Sequence, residues 1–105
     1  MTLAVLIHED RDNIEEIKLN INPDKNEIYN LLSGKVTFVG QWPEIDVVII
    51  RPVHGSCKNK NTLPYPFHNE EIMGKILLVR MDENSEHQDF TKDEFMAWVG
   101  RKPYP

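Results

Sequence analysis

Cysteine is nearly absent from this chain of 105 residues: Cys57 stands alone, so no internal disulfide can form and nothing points to an oxidising compartment. Long apolar runs are missing too. Residues 3–7, 47–50 and 76–79 fall far below the ~20 residues that span a bilayer. The first of them is also too short for a signal-peptide core, and His8, Glu9 and Asp10 follow it where small residues would mark a cleavage site. A basic surplus is lacking: 12 Lys and Arg face 17 Asp and Glu, a net charge of −5, which disfavours nonspecific binding to nucleic acid or an anionic membrane. There is no glycine-rich phosphate loop, G-x-S-x-G elbow, paired C-x-x-C or basic-aromatic platform for single strands. These absences lead us to expect an intracellular protein, cytoplasmic or nuclear and off the membrane, and they weigh against an enzyme.

What is present is the patterning of one folded domain over residues 1–105. Hydrophobic residues make up 40% and charged residues 28% of the chain, and its length supports a single core. Residues 2–9 have strand density, and Asp10 to Asn13 supply a turn. Ile17, Leu19 and Ile21 alternate with polar residues, as on a half-exposed or edge strand. Asn22, Pro23 and Asp24, followed by the stripe Ile28, Leu31 and Leu32, predict a helix over 23–33 ended by Gly34 at C′. Val36, Phe38 and Trp42 at alternate positions predict a strand, and the turn 42–45 leads into another over 46–51. Residues 75–81 form a further strand. Thr91 and Glu94 make a capping box for the last helix, Phe90 staples onto Phe95, and Phe95, Trp98 and Val99 form its buried stripe. Gly100 is placed to stop it, leaving 101–105 as a tail.

The order ββαβββα argues for an α+β domain with a mixed or mostly antiparallel sheet of about five strands and two short helices. The runs at 3–7, 47–50 and 76–79 are apolar on both faces, which suggests sheet positions covered on both sides. Trp42 and Trp98 read as core. The opening ββα order over 2–34 resembles a ubiquitin-like β-grasp, which implies a helix laid across the sheet. Segments 37–42 (TFVGQW), 46–49 (DVVI), 63–67 (LPYPF), 74–80 (GKILLVR) and 89–95 (DFTKDEF) are similar to an uncharacterised family of small proteins of algae and large DNA viruses. That resemblance brings no catalytic residues with it.

The loop 51–74 holds the residues best suited to chemistry or contact. His54, Cys57 and His68 are zinc-ligand types, with His87, His8 or Glu70 available as a fourth ligand, although the usual paired spacing is absent. The same three could form a cysteine nucleophile with a histidine base, Lys58 lowering the thiol pKa. In the second half of the loop, alternate prolines stiffen 63–67, so Tyr65 and Phe67 either project toward a partner or fold back and seal the core. Arg51, His54, Lys58 and Lys60 form a local basic patch, and we assign Arg51 and Lys58 to partner contact with Tyr65 and Phe67.

Two acidic patterns read as structural. Residues 82–89 lack the glycine that an EF-hand turn needs, His87 standing there instead, so the segment is a solvated connector. Glu15 and Glu16 point to opposite faces of a strand and cannot pair as acid and base. Doubly apolar strands with only two short helices to cover them predict leftover apolar surface. The expected function is therefore a small interaction or regulatory module, working through the 51–74 loop or an apolar sheet face, with a protein partner or self-association and no cofactor. The alternative is a zinc protein or small Cys/His enzyme centred on His54, Cys57 and His68.

Overall fold

A computed structural model of the chain describes residues 2–84 and 86–101. Its elements are β1 (Thr2–Ile7), β2 (Ile14–Leu19), α1 (Glu27–Leu31), β3 (Val36–Trp42), β4 (Val47–Pro52), β5 (Ile76–Met81), β6 (His87–Gln88) and α2 (Lys92–Arg101). The sheet runs β2-β1-β5-β4-β3, with β6 also paired to β5. Every one of these pairings is antiparallel, which decides between the two sheet types that the sequence left open.

The three runs that are apolar on both faces become the three central strands, because each has a core above and below it. On one face Val5, Ile7, Val47, Ile49, Ile76 and Leu78 pack with Trp42, Phe90, Phe95 and Trp98, and the long loop adds Leu63 and Ile72. On the other, Ala4, Leu6, Ile50, Leu77 and Val79 pack with Leu19, Ile21 and Leu32. Each large aliphatic or aromatic side chain so buried contributes roughly 1.5–3 kcal/mol. The alternating strand β2 lies at one edge, and β3 lies at the other.

The capping box closes as its sequence implies. The Glu94 N–H donates to Thr91 Oγ1 at 3.1 Å, and the Thr91 N–H donates to Glu94 Oε1 at 3.2 Å. Phe90, fully buried, meets Phe95 edge-on with centroids 6.4 Å apart, and the Arg80 guanidinium lies 4.9 Å above the Phe90 ring. Arg80 Nη1 also donates to Glu94 Oε2 at 2.6 Å. Partial burial pushes the Glu94 carboxyl pKa up, but the Arg80 hydrogen bond and charge, with the Thr91 N–H, more than offset this and hold it below its ordinary value.

Four features depart from the expected arrangement. The first helix is far shorter than 23–33: Pro23–Lys25 form a 3-10 turn, Asn26 turns left-handed at φ 56°, and only Glu27–Leu31 are α-helical. Ser33, at φ 59°, takes the left-handed C′ position assigned to Gly34, and the Gly34 N–H bonds the Tyr29 carbonyl at 2.9 Å. Gly100 does not end α2, since Arg101 is still helical, and the rest of the expected tail lies outside the described residues.

The connector after β5 folds back to form β6. The Asp82 carboxylate organises this turn, accepting the Asn84 and Glu86 N–H groups at 2.9 Å each and Gln88 Nε2 at 3.1 Å. Its pKa is lowered, chiefly by the Glu86 N–H, with desolvation opposing and Gln88 and the Asn84 N–H helping. The two opening strands are followed by a helix of little more than one turn, and the face of the central strands on that side is buried by Leu19, Ile21 and Leu32.

The fourth departure is in β3. The register steps from Phe38 opposite Ile50 to Gly40 opposite Ile49, a bulge with Val39 as the extra residue. Val36, Phe38 and Trp42 therefore do not share a face, although their spacing is even. Trp42 faces the α2 core, whereas Phe38 is left on the α1 side.

Candidate interaction surface

The loop after β4 is tied down by asparagines rather than organised around a chemical centre. Asn59 is 5% exposed, and its Nδ2 donates to the Gly74 carbonyl at 2.9 Å and the Ile7 carbonyl at 3.3 Å. Its Oδ1 accepts the Asn61 N–H at 2.9 Å. Asn61 Nδ2 in turn donates to the carbonyls of His8 and Asp10 at 2.9 and 2.8 Å, and its Oδ1 accepts the Asp12 N–H at 2.8 Å. The two side chains thus clasp the loop to the β1–β2 turn. Sequence reasoning passed over them, although a short polar side chain flanking a turn was the available signal.

His54, Cys57 and His68 stand apart. His54 lies exposed in a cleft with Leu31, Ser33 and Pro52, Cys57 is exposed beside His8, Glu9 and Lys58, and His68 stacks on Tyr65 with centroids 5.6 Å apart. Among the described residues, no three His, Cys, Asp or Glu side chains are grouped so that they could hold a metal ion. Ser56 Oγ lies 3.9 Å from Cys57 Sγ. Of the residues assigned to partner contact, Lys58 pairs with Glu71 at 3.0 Å on the surface and Arg51 Nη1 donates to the Pro52 carbonyl at 3.2 Å.

The aromatic half of the loop divides. Phe67 meets Trp42 edge-on at 5.9 Å and packs where a Cβ on Gly40 would stand, so glycine at 40 is what lets this ring close the core. Tyr65 stays exposed, its carbonyl accepting Trp42 Nε1 at 3.2 Å.

The most open apolar surface lies elsewhere, on the α1 side of β3. Phe38 is 67% exposed, Tyr29 54% and Val36 37%. Val36, Tyr29, Ile21, Ile28 and Gly34 line a groove of about 250 Å³ between α1 and β3. The strand itself, VTFVGQW, carries no charge, whereas the opposite edge, IEEIKL, carries three. The charged edge is also tied in, with Glu15 Oε1 2.8 Å from His8 Nε2 and Glu16 Oε1 accepting the Lys92 N–H of α2 at 2.9 Å.

A family profile matches residues 5–98, nearly the whole chain. The chain belongs to the DUF5880 family, a family of unknown function. Comparisons with curated proteins and with solved structures give no match. The family match takes in both sheet edges, the asparagine clasp and the α1–β3 groove. No helix among the described residues is long and apolar enough to cross a membrane.

Proposed function

We propose that the chain is an intracellular protein-interaction module whose contact surface is the β3 edge with the adjoining apolar strip of Tyr29, Val36 and Phe38. One observation carries this reading: a phenylalanine two-thirds exposed on an edge strand without a single charge. Exposed edges present unpaired main-chain groups, and soluble proteins commonly guard them with charges or prolines. A large exposed aromatic beside such an edge is an interface anchor. The loop 51–74 supports this surface indirectly, since Phe67 packs against Gly40 at the bulge that follows Phe38.

The test is paired capture with the parent protein and Phe38→Lys, followed by titration of the captured protein against each purified form. Binding weakened at least about tenfold by Phe38→Lys, with an unchanged far-UV circular dichroism spectrum, supports the surface. Equal binding by both forms contradicts it. Metal analysis of the purified chain checks the alternative built on His54, Cys57 and His68, which stoichiometric zinc would favour.

A further inference from the structure

We infer that the occupant of the β3 edge is a second copy of this chain, paired antiparallel about Thr37, so that two sheets join edge to edge. This inference rests on the interaction reading above and adds the partner and the register.

The main-chain geometry sets that register. The Val53 N–H donates to the Lys35 carbonyl at 2.8 Å, and Val53 is the residue after the last β4 position, where Pro52 lies opposite Val36. Hydrogen-bonded pairs alternate along an antiparallel ladder, so Thr37 is the next residue to spend its N–H and C=O on β4. Val36 and Phe38 therefore turn theirs outward. These are also the two β3 residues with exposed apolar side chains, and both lie on the α1 side of the sheet.

A two-fold axis through Thr37 satisfies both sets of groups at once. It sets Val36 against Phe38 of the partner subunit and Phe38 against Val36 of the partner subunit, each pair exchanging two main-chain hydrogen bonds. An aromatic facing a β-branched side chain is a favourable cross-strand pair. Because Val36 lines the α1–β3 groove, Phe38 of the partner subunit arrives at the mouth of that groove, with Tyr29 on its far wall. The contact is isologous and closes on itself, so it yields a dimer and no filament.

Charge favours this edge over other surfaces for self-contact. Copies carrying −5 each repel, and β3 is the edge strand where no like charge is brought opposite its counterpart. The bulge at Val39 limits the ladder to the N-terminal half of the strand. So short an interface lies at the small end of the specific range, below roughly 1,200 Å², and suits a dissociation constant on the order of micromolar.

The experiment places single cysteines on β3 in a Cys57→Ser background, which removes the one native thiol. Thr37→Cys meets its own counterpart across the axis, whereas Gln41→Cys is held roughly eight residues of strand from its counterpart, on the order of 27 Å. Mild oxidation at ~100 μM should convert most of the Thr37→Cys protein to a covalent dimer and little of Gln41→Cys. Sedimentation equilibrium of the parent should show a dimer that dissociates on dilution, and Phe38→Lys should raise the dissociation constant at least about tenfold. A parent that stays monomeric, with equal crosslinking at 37 and 41, overturns the pairing. If that monomer still binds a heterologous protein in a Phe38-dependent way, only the self-pairing falls. If neither self-association nor capture responds to Phe38→Lys, the interaction reading falls with it.

Discussion

The two ends of the sheet solve the same problem in opposite ways. At β2 the strand is charged and bound into the rest of the molecule: Glu16 holds the first N–H of α2, and Asn61 anchors the turn that leads into the strand. At β3 the strand is uncharged, its only strand neighbour among the described residues is β4, and Phe38 faces solvent. Burial alone does not explain this, since both strands are edges. The contrast teaches that one edge is finished within the chain and the other is left for a contact.

The strongest way to break the comparison is to untie the finished end. Asn59→Ala removes the donor to two buried carbonyls and the acceptor for Asn61, and should cost roughly 2–3 kcal/mol by urea denaturation. Amide exchange at the β1–β2 turn should quicken while β3 is unaffected. Next in size, Phe38→Lys installs on β3 the kind of guard that β2 already has. It should weaken association by ~1.4 kcal/mol or more, the equivalent of tenfold, yet change unfolding stability by less than about 0.5 kcal/mol because the side chain is mostly exposed.

Smaller effects sharpen the contrast. Glu16→Ala removes a carboxylate from the N-terminus of α2 and should cost about 0.5–1 kcal/mol, seen as a lowered denaturation midpoint. The smallest concerns pH. Glu94 holds its proton less tightly folded than unfolded, so its contribution is complete above the ordinary carboxylate range and is lost as the pH falls through its lowered folded value. Glu94→Gln should flatten the acid limb of the stability profile slightly. An unchanged limb would mean that Arg80 and Glu94 contribute nothing through their charge.

Much of the fold was legible because the residues concerned act locally or through simple periodicity. Runs apolar on both sides at 3–7, 47–50 and 76–79 marked central strands, Ile17 and Leu19 marked an edge, and Thr91 with Glu94 marked a helix start. The candidate surface was harder to see. Even spacing put Val36, Phe38 and Trp42 on one face, but the strand changes face midway at a bulge, beside the glycine that Phe67 packs against. The asparagine clasp joins residues some fifty positions apart, and no local pattern encodes such a partner. Asn26 and Ser33 adopt left-handed backbone that their residue types permit without announcing, and so α1 came out short.

The most direct measurement is amide hydrogen exchange along both edges at two protein concentrations, one well below and one well above the dissociation constant. The Val36 and Phe38 amides should gain protection as concentration rises, with the solvent-facing amides of β2 unchanged. Equal exchange at Val36 and Phe38 at both concentrations, or protection gained at β2 instead, would contradict it.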